Sequence, residues 1–78
     1  MPAIASLRAH AEAIRAGELA KLGALPEDER GRLEAVTGQI VNKLLHEPTV
    51  RMKQAAAAGD GEVYAEAIRA LFGLEEQG

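Results

Sequence analysis

The chain has 78 residues and no cysteine, so it forms one small domain at most and has no disulfide bond to stabilise it. A domain of this length buries only about 60% of the surface that its unfolded chain exposes, and self-association is one way to supplement so small a core. The net charge of −3, with acidic and basic residues interspersed, argues against direct nucleic-acid binding.

Composition predicts an all-α fold. The chain contains sixteen alanines and nine leucines, and no stretch alternates as a half-buried strand does. We expect a module of three to four helices, with residues 1–78 as a single domain cut from a longer chain. No apolar run approaches the roughly 20 residues that span a bilayer, and no secretory signal is present, so we predict a soluble, cytoplasmic protein without a membrane partner.

The first predicted helix follows Pro2 and continues to about Leu22, where Gly23 provides a stop. Its apolar stripe comprises Ile4, Leu7, Ala11 and Ile14, and then shifts to Leu19 and Leu22.

A second helix is predicted from Pro26, because three acidic residues at 27–29 suit the positive end of a helix dipole. Its apolar face is the clearest in the chain, and Thr37 falls on the same face. The apolar residues of this face are Leu33, Val36, Ile40, Val41, Leu44 and Leu45.

Pro48 predicts a break, since a residue before proline avoids helical angles. We therefore expect the second helix to end near His46, which can bond a free carbonyl there, and Pro48 to open a third helix that stops at residues 59–61. Asp60 is a candidate N-cap for a fourth helix. That helix carries Val63, Tyr64, Ala67, Ile68, Leu71 and Phe72, ends at Gly73, and allows Leu74 to fold back.

The residues predict no catalytic, cofactor-binding or metal site. The few hydroxyl groups lie outside a nucleophile elbow, and His10 and His46 are on different helices. Gly59 and Gly61 lack the spacing of a phosphate-binding loop. The acidic residues at 27–29 do not predict a site for a divalent cation, because adjacent side chains on a helix point in different directions. A small metal- or nucleotide-handling enzyme is the least favoured interpretation.

The apolar face of the second helix leaves two interpretations open. It is either the core of the module alone, or it is shared between that core and a partner helix that packs knobs into holes. We favour the shared interpretation because this face and that of the fourth predicted helix together offer more apolar surface than so short a chain needs.

Three blocks of residues carry a resemblance to a known family, the C-terminal dimerisation domain of glutamyl-tRNA reductase. Met52 stands where the family usually has leucine, which is a volume-conserving exchange. The blocks are Pro2, Ile4, Leu7, Arg8, Ile14, Arg15, Glu18 and Leu19; then Val41, Asn42, Lys43, Leu44, Leu45, His46, Pro48 and Thr49; and finally Leu71, Phe72 and Leu74.

The resemblance implies a non-catalytic homodimerisation module, with an intertwined or coiled-coil-like helical homodimer as its fold and an identical chain as its partner. A docking module for a regulatory protein is the alternative. The parent enzyme would use NADPH to reduce glutamyl-tRNA to glutamate-1-semialdehyde in tetrapyrrole (porphyrin) biosynthesis. Its catalytic cysteine, glutamyl-tRNA-binding region and NADPH domain would precede this segment, so the segment itself would hold no cofactor.

The expected site residues fall into two groups. Those of the dimer interface or core are Leu33, Val36, Ile40, Val41, Leu44, Leu45, Ile68, Leu71 and Phe72. Those of a structural motif are Asn42, Lys43, His46, Pro48 and Thr49.

Overall fold

Three helices make up the structure, a computed structural model that describes residues 2–74. They are α1 (Ala3–Ala20), α2 (Glu27–Ala57) and α3 (Gly61–Phe72), and each packs against the other two. No strand occurs in this range, which confirms the all-α prediction. None of these helices has the length and hydropathy needed to cross a membrane.

Helix α1 begins after Pro2, whose carbonyl accepts a hydrogen bond from the N–H of Ser6 at 3.0 Å. It ends at Ala20, two residues before the predicted Leu22. Gly23 lies in the connection to α2 with a φ of +69°, a left-handed angle that favours glycine. The predicted stop at Gly23 is therefore confirmed, but the helix ends two residues earlier than predicted.

Pro48 lies inside α2, so the predicted helix end near His46 and the predicted helix start at Pro48 are both wrong. His46 is a mid-helix residue and closes no helix. The bias of a pre-proline residue against helical angles is a local preference that tertiary packing can override. Here the helix is buried on both sides of the proline, at Leu45 and at Ala55. Thr49 adds a hydrogen bond from its Oγ1 to the Leu45 carbonyl at 2.6 Å.

The turn from α2 to α3 is closed by backbone hydrogen bonds. The N–H of Asp60 donates to the Ala55 carbonyl at 2.8 Å, and the N–H of Gly59 donates to the Ala56 carbonyl at 3.2 Å. This pattern is a Schellman motif, which needs the left-handed φ of +89° that Gly59 adopts. Asp60 precedes α3 as predicted, but its carboxylate makes no capping hydrogen bond.

Helix α3 ends as the sequence predicts. Gly73 has a φ of +64°, and the N–H of Leu74 donates to the Arg69 carbonyl at 2.9 Å. Leu74 then folds back against the hydrophobic core. Ile68 contacts the same core, so a residue on each side of the helix end is anchored there.

The core is small and lies where the three helices meet. Its centre consists of Leu7, Val41 and Leu45, with Ala11, Ile68 and Leu74 packed around it. The molecule is elongated, measuring 49 × 23 × 17 Å, because the 31 residues of α2 extend about 46 Å. A core at one level of such a helix leaves the rest of its length thinly covered.

Replacing Pro48 with alanine is expected to raise the free energy of unfolding by about 1–2 kcal/mol. An alanine restores the N–H that bonds the Leu44 carbonyl, and this gain outweighs the loss of proline's rigidity in the unfolded chain. Urea unfolding followed by circular dichroism at a fixed chain concentration measures the change. An equal or lower stability would contradict a continuous α2.

Two glycine substitutions should shift stability in opposite directions. Gly59→Ala is expected to destabilise by about 1 kcal/mol, because an L side chain is strained at its left-handed φ although nothing lies within 4 Å of the new Cβ. Gly31→Ala, at an equally open position inside α2, is expected to stabilise by up to about 1 kcal/mol through helix propensity. Thermal unfolding of both variants tests the pair.

A candidate self-association surface

An open apolar groove runs between α1 and α2. Its volume is about 670 Å³, and Val41 and Leu45 of the core contribute to its lining. The other lining residues are His10, Ala11, Ile14, Arg15, Glu18, Leu19 and Leu22 of α1 and the segment after it, Leu33, Thr37, Ile40 and Leu44 of α2, and Phe72 of α3.

Large apolar side chains in this groove remain accessible to water. Ile40 is 52% exposed and Leu44 is 70% exposed. Contiguous apolar surface of this kind on a small protein typically marks an interaction site. The exposed large hydrophobic residues that line the groove are Ile14, Leu22, Leu33, Ile40, Leu44 and Phe72.

The structure divides the predicted interface or core residues into three sets. Val41 and Leu45 are buried core residues, and Ile68 packs against them half-buried. Leu33, Ile40, Leu44 and Phe72 line the groove. Val36 and Leu71 are exposed outside it, and Leu71 is 83% exposed.

Leu44 and Leu45 were both assigned to the dimer interface or core, and within one chain only Leu45 is buried. Adjacent residues on a helix are 100° apart, so Leu45 faces the core whereas Leu44 faces the groove. The structure thus separates a core stripe from a groove stripe where the sequence pattern showed one broad face.

The α1 side of the groove was missing from the predicted site. Ile14 and Leu22 supply exposed apolar surface there, and Leu19 lies half-buried between them. The signal for these residues was the shift of the α1 stripe after Ile14. It indicates that the two halves of α1 present their apolar sides in different directions.

Polar hydrogen bonds connect the two walls of the groove through Arg15. Its Nε donates to the Thr37 Oγ1 at 2.8 Å, and its Nη2 donates to the Glu34 carbonyl at 2.6 Å. Its Nη1 forms an ion pair of 2.9 Å with Glu12 one turn earlier. The position of Thr37 on the apolar face of α2 was the available sign that a polar partner would approach it.

Two of the predicted motif residues, Asn42 and Thr49, make side-chain hydrogen bonds. Asn42 accepts a hydrogen bond of 3.2 Å from the Nη1 of Arg8, which links α2 to α1. The Thr49 hydroxyl donates to the Leu45 carbonyl one turn earlier, as described above. Lys43 and His46 are exposed on α2. Asn42 therefore joins α2 to α1, whereas the neighbouring Val41, Leu44 and Leu45 line the groove.

Two kinds of site were not predicted from the sequence, a metal site and a glycine-rich dinucleotide site. No three carboxylate or imidazole side chains in residues 2–74 lie together as a metal site. Gly59 and Gly61 lie at the turn between two helices, whereas a dinucleotide site needs a strand before its glycine-rich loop. This turn therefore differs from a strand-to-helix phosphate-binding loop.

Comparison with known proteins gives a consistent result. A family model described as "Glutamyl-tRNAGlu reductase, dimerisation domain" matches residues 1–74. The glutamyl-tRNA reductase of Frankia alni is 46% identical over 80 residues, covering 97% of this chain and 17% of the relative. That of Geobacter sulfurreducens is 45% identical, covering 97% and 18%, and that of Streptomyces avermitilis is 44% identical, covering 97% and 14%.

The chain thus spans less than a fifth of the length of these curated relatives. No solved structure matches it.

Alanine substitutions at two adjacent leucines should separate core from groove. Leu45→Ala is expected to lower the free energy of unfolding by about 2–5 kcal/mol, because Leu45 is only 5% exposed. Leu44→Ala removes the same atoms at a 70% exposed position and is expected to cost less than about 1 kcal/mol in the monomer. Urea titration at high dilution measures both. Equal losses would place Leu44 in the core of the single chain.

Proposed function

The chain belongs to the glutamyl-tRNA reductase dimerisation domain family, and we propose that it uses the apolar groove to hold two subunits together as a homodimer. The observation that carries this proposal is the row of exposed large hydrophobic side chains along the groove. Burying them against a second copy gains about 25 cal/mol for each Å² of apolar surface removed from water.

The thin core supports the same proposal. No side chain among the described residues falls below 2% exposure, and three of the six buried residues are alanines. The radius of gyration is 15.2 Å, whereas a compact chain of this length has about 11.5 Å. A subunit with so little internal burial gains stability when a partner covers its remaining apolar surface.

The proposed arrangement is a coiled-coil-like pairing about a twofold axis. The groove residues of α2 recur at spacings of four and seven, with Leu33, Ile40 and Leu44 along one wall. Two antiparallel helix pairs can pack their apolar sides together as a four-helix unit. A twofold contact is self-complementary, so the same surface serves both subunits.

The function of the parent enzyme is part of this proposal. We infer that the longer reductase reduces glutamyl-tRNA to glutamate-1-semialdehyde with NADPH for porphyrin synthesis in the cytoplasm. In this proposal the NADPH cofactor and the catalytic cysteine belong to other domains of the longer enzyme. The domain's own contribution is to fix the relative position of two catalytic units.

Docking of a regulatory protein, the alternative raised by the resemblance, has no support in the contacts or in the comparisons. The proposal includes no nucleic-acid contact by this segment, because the net charge is −3 and the acidic and basic residues are interspersed along the chain.

Sedimentation of a charged groove variant tests the proposal. The wild-type chain is expected to be a dimer at micromolar concentration, and Ile40→Glu is expected to be a folded monomer, because a carboxylate would be buried without a partner in the interface. Gln39→Glu is the matched control, since it adds the same charge at the neighbouring exposed position and should remain dimeric.

A monomeric wild type under these conditions would refute the proposal. So would an Ile40→Glu variant that dimerises as tightly as the Gln39→Glu control.

A further inference from the structure

We propose that Arg15 is a positioning residue for self-association, which sets the separation of α1 and α2 at the groove. This inference rests on the proposed homodimer function. It concerns the half of the α1 and α2 pair that lies beyond the core, towards the connection between the two helices.

Hydrophobic burial alone does not fix the two helices in this half. The segments that wall this half of the groove fall within residues 8–40 and 66–74. None of the six buried residues lies in these ranges. The side chains between α1 and α2 here are half-buried at most, as for Leu19 and Thr37. Some other interaction must hold the walls apart at a defined distance.

Arg15 has the required geometry. Its planar guanidinium reaches from α1 to two acceptors on α2, the Thr37 hydroxyl at 2.8 Å and the Glu34 carbonyl at 2.6 Å. The Glu12 carboxylate of α1 accepts a third hydrogen bond, from the Nη1 of the same guanidinium, at 2.9 Å. A guanidinium with several donors engaged has a fixed orientation, so it acts as a spacer as well as a link.

On α2, Thr37 and Gly38 accommodate the Arg15 guanidinium. The Thr37 hydroxyl donates to the Leu33 carbonyl at 2.7 Å, which leaves its lone pairs to accept from Arg15. Gly38 lies beside it, and a Cβ at this position would stand 3.3 Å from the Arg15 Nη2. The absence of a side chain at Gly38 therefore makes room for the guanidinium against the helix.

Arg15 differs from ion-paired side chains at the surface because its hydrogen bonds to Thr37 and Glu34 cross from one helix to another. Lys21 with Glu18 and Arg51 with Glu47 join residues within one helix or its end, and their side chains are 66–71% exposed. Such pairs contribute little to stability. The Arg15 side chain is 23% exposed and joins two helices at the groove lining. The distinction predicts that Arg15 affects the shape of the groove, whereas the surface pairs do not.

The test compares the dissociation constants of folded dimers by sedimentation at several chain concentrations. Arg15→Met keeps the length of the side chain and removes its hydrogen bonds, and Thr37→Val removes one acceptor at constant volume. Each is expected to weaken the dimer by about tenfold or more, as the loss of a charged hydrogen bond implies. Arg51→Met is the matched control and should leave the constant unchanged.

Coupling between the two residues identifies a positioning role. The double variant Arg15→Met with Thr37→Val should dimerise no more weakly than Arg15→Met alone, because both changes remove the same link. Arg15→Lys should fall between wild type and Arg15→Met. Circular dichroism confirms that the compared variants are helical, so a loss of folding is not read as a loss of affinity. Thr37→Val keeps the test decisive if Arg15→Met fails to fold.

Two results separate this inference from the proposed function. If Arg15→Met and Thr37→Val dimerise like wild type while Ile40→Glu is monomeric, Arg15 has no positioning role and the groove is still the interface. If Ile40→Glu dimerises like wild type, the groove is not the interface, and the role of Arg15 in it falls as well.

Discussion

Packing of Leu7 against Val41 and Leu45 is the contact on which the rest of the structure depends. It joins α1 to the middle of α2, and α3 attaches to the same place through Ile68 and Leu74. All three helices are therefore fixed at a single level of a long molecule. Everything farther from this level, the groove included, is positioned by weaker or more polar contacts.

The groove follows directly from that arrangement. Helix α2 has 31 residues, about 46 Å, whereas α3 has 12 residues and covers about 18 Å. The part of α1 and α2 beyond the reach of α3 has no third helix of its own. Its apolar side chains stay exposed within one chain, which is the situation that a second copy resolves. Membership in a dimerisation domain family accords with this surplus of apolar surface.

The sequence predicted the elements that depend on local chemistry. Gly23, Gly59 and Gly73 mark the ends of helices because left-handed backbone angles favour glycine there. Leu74 was expected to fold back, and it does so because the Schellman geometry at Gly73 directs it to the core.

The failures have a common physical cause. The break at Pro48 was inferred from a local preference, and burial of the helix on both sides overrides it. Separation of the α2 face into a core stripe and a groove stripe depends on which side of α2 packs against Leu7 of α1, which periodicity does not reveal. The link from Arg15 to Thr37 joins residues 22 positions apart and has no short-range signature.

Short connections between the helices have a kinetic consequence. Residues 21–26 join α1 to α2, and residues 58–60 join α2 to α3. Contacts between sequence neighbours form with little loss of loop entropy, so a chain of this topology folds rapidly. Meeting of two chains is a bimolecular event and slows as the chains are diluted. The time at which a dimer forms after synthesis is thus governed by the abundance of the protein. Until two chains meet, the monomer persists with its apolar groove exposed.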